Sequence, residues 1–189
     1  MDHDETAPDM IALLTGQHRQ VEKLWQELQS AHSQGGGQQS DIGQQIVTML
    51  SKHDALETQL LYPELRDVAD GDGERLSERS LDDHQRNREL LKQVDGRDFA
   101  DEDVYSTMAE CIVNTMAHVA EEESTIFPLL RQHCAADRLQ ELGQKMADKM
   151  DSAPTHPHPS TPDSKAGAAV AGAVTGLADR ARDALSSDD

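Results

Sequence analysis

The sequence predicts an all-α protein: an up-down-up-down antiparallel four-helix bundle with a disordered or loosely helical C-terminal tail. Three observations point to it. Apolar residues recur at steps of three and four along four separate stretches, the period of an amphipathic helix. Only 3% of the chain is aromatic, Leu and Ala dominate the 36% that is hydrophobic, and Gly and Pro collect between the stretches, a balance that favours helix over sheet. The chain also repeats itself: the frame His53-Asp-Ala-Leu-Glu57-Thr-Gln-Leu-Leu61-Tyr62-Pro63 returns as His118-Val-Ala-Glu-Glu122-Glu-Ser-Thr-Ile126-Phe127-Pro128. At 189 residues there is room for one domain with a real core and an extension. We divide it into a flexible N-terminus (1–8), a bundle with a short extra helix (9–150) and a Pro/His linker with an Ala-rich tail (151–189).

The first helix follows Pro8, which suits a helix start, and carries the stripe Ile11, Leu14, His18, Val21, Trp25, Leu28. Gly35-Gly-Gly37 within the Ser/Gln-rich stretch 31–40 marks a loop. A second helix opens near Asp41 as N-cap, with the stripe Ile42, Ile46, Met49, His53, Leu56, Leu60, and Pro63 should kink or end it. Asp70-Gly-Asp-Gly73 reads as a turn, followed by a third helix over roughly 74–94 with Leu76, Ser80, His84, Asn87, Leu91 and Val94 on one side. Gly96 sits just past its end. The fourth helix has the longest stripe, Val104, Met108, Cys111, Thr115, His118, Glu122, Thr125, Leu129, with Pro128 bending its last turn. A short helix over 137–150, with Leu139, Leu142 and Met146 on one side, is expected to dock across the bundle end. Beyond it the Pro-rich linker cannot be helical, and His156 and His158 read as spacer residues rather than ligands. The segment 166–185 has Val170, Val174, Leu177, Ala181 and Leu185 at helical spacing; alone it is marginal in water, and it is left available to an unidentified partner.

The formal net charge of -19 argues against nucleic acid and anionic membrane surfaces, which need clustered Lys and Arg. No apolar run reaches the ~18 residues of a membrane span. Met1-Asp-His-Asp-Glu is acidic and is no signal peptide. Cys111 and Cys134, on one predicted helix, would lie roughly 34 Å apart and so cannot pair. Two free thiols suit a reducing compartment, and the expected location is cytoplasmic.

Every stripe carries a histidine. His and Glu four residues apart on a helix stand on one face and can converge on one ion. Each copy of the repeated frame is therefore half a metal site. His18 precedes His53 by 35 positions and His84 precedes His118 by 34, so the chain reads as two helical hairpins, each with His on its first helix and His-x-x-x-Glu on its second. A carboxylate on an apolar face is costly to bury without a cation. Imidazole with carboxylate suits iron, zinc, manganese or copper, and six donors exceed the needs of one tetrahedral zinc. Two ions sharing Glu57 and Glu122 is the natural solution.

These residues, over about 9–135, resemble the hemerythrin-like (HHE cation-binding) family in its arrangement His, His-x-x-x-Glu, His, His-x-x-x-Glu. The resemblance implies a non-haem, oxygen-bridged di-iron centre, with nitrogen from His18, His53, His84 and His118 and with Glu57 and Glu122 as bridges. It departs from the oxygen-carrying members, whose third helix bears a His-x-x-x-His pair where this chain has Arg88 four residues after His84. Their final Asp, five residues after the last His, is replaced by Glu122 at four, with Glu123 at five. Two octahedral irons need about twelve positions, and these ligands with one oxygen bridge fill about ten. The open positions favour turnover of hydrogen peroxide, in the manner of a catalase or peroxidase. The other reading is binding or sensing of O2, NO or iron without turnover. Tyr62 and Tyr105 could approach a metal end of the bundle, but Tyr62, in the slot that Phe127 fills in the repeat, reads rather as packing.

Overall fold

The computed structural model describes residues 8–35, 37–158, 175–180 and 182–184. Among them the chain is helical and contains no strand: α1 (Met10–Gln34), α2 (Gln39–Leu56), α3 (Tyr62–Val68), α4 (Asp70–Val94), α5 (Glu102–Glu121), α6 (Phe127–His133) and α7 (Ala136–Met150). Two π turns, Glu57–Leu61 and Glu122–Ile126, join α2 to α3 and α5 to α6, so each pair forms one long rod. Asp9 caps α1, accepting from the Ala12 N–H at 2.8 Å, and Gly35 closes it at φ 66°, a left-handed conformation natural to glycine. α2 begins two residues before Asp41 and has no side-chain cap.

One expected turn is helix instead. Asp70-Gly-Asp-Gly73 forms the start of α4, where Asp70 and Asp72 complement the positive helix end. Gly73 is required there because a Cβ would overlap the Leu65 carbonyl of α3.

α1 packs along α2, α4 along α5, and α3 against α4, while α2 and α4 barely meet. α7 lies against α1 and α2, burying Leu139, Leu142 and Met146 as expected. The buried apolar residues fall into two clusters, one around Leu14, Leu65, Leu130 and Met146, the other around Leu28, Ile46, Phe99 and Met108. Between them runs a layer of buried polar side chains. The stripes predicted for α4 and for α5 as far as Glu122 are buried throughout. After each π turn the buried positions move on by one: Ile126, Phe127 and Leu130 replace Thr125 and Leu129, and Leu61, Tyr62 and Leu65 continue inward instead of Leu60. An i→i+5 turn inserts one residue into the helical phase, which periodicity at 3.6 cannot register.

Cys111 and Cys134 are both free and buried. The expected N-terminal residues 1–7 and positions 166–174, 181 and 185 of the predicted tail helix lie outside the described residues. Residues 175–180 and 182–184 are helical, and with 151–158 they rest on the bundle. No helix among the described residues is long and apolar enough to cross a membrane.

Candidate metal centre

Six side chains meet in the polar layer: His18 from α1, His53 from α2, Glu57 at the first π turn, His84 from α4, His118 from α5 and Glu122 at the second π turn. All are buried, and Glu57 and Glu122 have no exposed surface at all. Their donor atoms form two groups, His18, His53, Glu57, Glu122 and then Glu57, His84, His118, the atoms within each lying within 4.8 Å of one another. Each carboxylate turns one oxygen to each half. Glu57 Oε1 is 3.1 Å from His53 Nε2 and its Oε2 is 3.2 Å from His84 Nε2. Glu122 Oε2 is 3.4 Å from His18 Nε2, and its Oε1 is 3.4 Å from His118 Nε2.

Acceptors stand beside the outward nitrogens of three of the four rings, as around a metal-binding imidazole, while His118 Nδ1 has no hydrogen-bond partner. His18 Nδ1 pairs with Glu123 Oε1 at 2.9 Å, His53 Nδ1 with Gln17 Oε1 at 2.8 Å and His84 Nδ1 with Asp54 Oδ1 at 2.7 Å; the Asp83 carboxylate stands 3.9 Å from His118 Nδ1. A neutral ring with its proton on Nδ1 would present its Nε2 lone pair to the centre. Two of these acceptors are fixed in turn by arginines. Arg19 donates to Glu123, and Arg88 Nε donates to Asp54 Oδ2 at 2.6 Å. Arg88, where the carriers of oxygen place a histidine, thus supports a ligand position from behind. Asp54 and Gln17 carried no signal in the sequence. Asp54 neighbours the His53 frame but serves the histidine of another helix.

Tyr62 belongs to the site as well, which corrects its reading as packing. Its hydroxyl lies 3.0 Å from His84 Nε2, 3.3 Å from His118 Nε2, 3.1 Å from Glu122 Oε1 and 3.3 Å from Glu57 Oε2. The π turn is the cause: its i→i+5 geometry stacks Tyr62 below Glu57 and Phe127 below Glu122. Phe127 has no polar atom to offer and stacks on His18, centroids 5.8 Å apart and planes at 6°. The two halves of the repeat therefore differ by one phenol.

Electrostatics and unmet hydrogen bonds agree that these residues suit a cation. Burial, and for Glu57 the neighbouring Glu122, disfavours the charged carboxylates, yet the surrounding imidazoles hold both below the usual range. Burial works against the His84 imidazolium too, but Asp54 outweighs it and lifts the group to about 9. His53, where burial prevails, is pushed down. His18 Nε2, His53 Nε2, Glu57 Oε1 and Glu122 Oε2 are buried with no hydrogen-bond partner, and they are the four inward atoms of one donor group. In the other group a single hydroxyl lies within hydrogen-bond reach of His84 Nε2, His118 Nε2, Glu57 Oε2 and Glu122 Oε1 and can donate to only one of them. Buried polar atoms left this way cost about 1–3 kcal/mol each, and a shared cation removes the cost.

A buried His/carboxylate cluster held between helices is suited to metal binding in a helical protein. The model of the hemerythrin HHE cation binding domain matches residues 9–130, and the chain belongs to that family. It is 23% identical over 168 residues to a protein of Schizosaccharomyces pombe described as an uncharacterized hemerythrin-like protein, covering 89% of this chain and 82% of the relative. No solved structure matches the chain at a significant level.

Proposed function

We propose that the chain is a di-iron protein that decomposes hydrogen peroxide. In this reading the α1, α2–α3, α4 and α5–α6 rods run up-down-up-down, as their short connections favour. His18 and His53 would hold one iron and His84 and His118 the other, with the Glu57 and Glu122 carboxylates shared between them. The observation that carries the reading is the concentration of unpartnered buried atoms on the inward side of these residues. Iron fits the mixture of imidazole and carboxylate donors, and six donors divided between two octahedral ions leave room for a bridging oxygen. Such a pair supplies reversible two-electron redox change, which peroxide disproportionation to water and oxygen requires without any outside reductant.

The protein's own part is to orient and to exclude water. Asp54, Glu123 and Gln17 fix the rings, and the apolar clusters above and below keep bulk solvent out. Tyr62 supplies an extra oxygen at the His84/His118 half, filling about one of the roughly two positions left open by six ligands. Burial, then the nearby carboxylates, raise its phenol well above the usual range, so it keeps its proton until a cation displaces it. We assign the protein to a reducing compartment, the cytoplasm, on the strength of its two free cysteines.

A second reading, binding or sensing of O2 or NO, is favoured by the small cavity of about 20 Å³ against His53, His84 and His118, which is large enough for a diatomic molecule but little more. The deciding experiment records dissolved oxygen after peroxide is added to iron-loaded full-length protein and to a Glu122→Ala variant. Oxygen release that disappears in the variant supports turnover. Iron without release leaves the binding reading.

A further inference from the structure

The seam between α2 and α4 is thin, since these helices meet only sparsely. Two small cavities lie along it, and the Asp54 side chain lines both. The inner one, about 20 Å³, touches the imidazoles of His53, His84 and His118 and is bounded by Asn87 and Thr115. Asn87 donates to Thr115 Oγ1 at 3.2 Å, while its own Oδ1, in a side chain nine-tenths buried, has no partner. The outer one, about 40 Å³, has Asp54, Ala55 and Arg88 as its floor and Pro154, Pro157 and His158 as its roof.

That roof is fastened by its histidines. His156 is clamped between two carboxylates, Nδ1 to Asp95 Oδ1 at 2.9 Å and Nε2 to Asp183 Oδ1 at 2.9 Å. His158 Nε2 meets Asp179 Oδ1 at 3.0 Å, and Asp179 Oδ2 also accepts from the backbone N–H of Thr155 and of His156. Asp95 stands at the end of α4, whereas Asp179 and Asp183 come from the helical tail. The segment 151–158 is thus pinned on one side to the bundle and on the other to the tail.

We propose that this seam is the access route by which small neutral molecules of two to four atoms reach the centre, and that residues 151–158 are a strap closing its outer end. The inference rests on the peroxide or diatomic reading of the site. It names what that reading lacks: a way in. The Asp54–Arg88 pair is the partition between the chambers; its charges offset each other, which suits uncharged ligands, and the Asn87 carboxamide oxygen is an acceptor waiting at the inner end. The two histidines are read here as the pins of the strap, not as metal ligands.

The test uses nitric oxide as probe on iron-loaded, reduced, full-length protein, with its binding rate followed by stopped-flow absorbance. His156→Ala with His158→Ala unpins the strap, and the rate should rise about tenfold; Ala55→Phe fills the outer chamber, and the rate should fall about tenfold. The equilibrium affinity and the spectrum of the centre should stay the same in both, since neither variant alters a ligand. An unchanged rate in either variant overturns the route. Xenon-pressurised crystals of the full chain ask the same question without reference to iron. Xenon in both chambers supports the route, and an inner chamber that stays empty overturns it. Failure of the di-iron reading would abolish nitric oxide binding and leave the xenon result standing.

Discussion

The site's asymmetry is set by single residues. His84 is held by a carboxylate that is itself held by Arg88, whereas His53 leans on the neutral amide of Gln17. Burial works against the Asp54 charge, but His84 and Arg88 keep its carboxyl well below the usual range, so it is an anionic acceptor at any ordinary pH. Asp54→Asn should lower metal affinity about 10–100-fold with little change in helix content, measured by competition against a chelator. Tyr62→Phe keeps the ring and removes the oxygen. If the phenol binds iron, the ferric protein should show a visible charge-transfer band that the variant lacks, and an identical spectrum in both would remove Tyr62 from the set of ligands. The cysteines provide a contrast in the same terms. Burial pushes the Cys111 thiol up to about 12 and the Cys134 thiol to about 11. The thiolate is the reactive form and is present only as pH approaches these values, so at pH 8 both should alkylate at least about a hundredfold more slowly in the folded protein than after unfolding.

At the scale of elements, the π turns decide what the site contains. Each begins at the Glu of a His-x-x-x-Glu pair and ends just before an aromatic residue and a proline, Tyr62-Pro63 and Phe127-Pro128. Pro63 and Pro128 have no N–H to give to the carbonyl four residues back, and the neighbouring bond reaches five residues back instead: Tyr62 N–H to Glu57 O, and Phe127 N–H to Glu122 O. The six residues of the centre were legible in the sequence because they precede or open these turns, where a period of 3.6 still holds. Tyr62 was not, because it lies one inserted residue beyond. The part-buried acceptors Asp54 and Gln17 were hidden for a different reason: the partner of each is on another helix, and spacing along one helix says nothing about it. The start of α4 shows a third kind of miss, since Gly71 and Gly73 look like a turn until α3 is seen to press on Gly73. α7 was anticipated from its stripe, but its closeness to α1 was not. Gly143 meets the backbone of Pro8, Asp9 and Met10, and a Cβ there would overlap the Pro8 carbonyl. Gly143→Ala should therefore destabilise the fold by about 1–3 kcal/mol in urea unfolding, despite the better helix propensity of alanine.

At the scale of the molecule, two apolar clusters enclose a polar layer that hydrophobic packing alone cannot justify. A bundle of this length could be made with leucine at those positions. Instead it buries two carboxylates and four imidazoles, leaves four of their inward atoms without partners, and sets acceptors beside the outward nitrogens of His18, His53 and His84. The central claim is that the layer is a two-metal centre. It is tested most directly by the metal content of the full-length protein, produced with ample iron and measured by elemental analysis beside Glu122→Ala and His53→Ala. The account predicts about two irons per chain, falling to about one or none in either variant while circular dichroism still reports a helical protein. A chain that folds normally and carries no stoichiometric metal would contradict it.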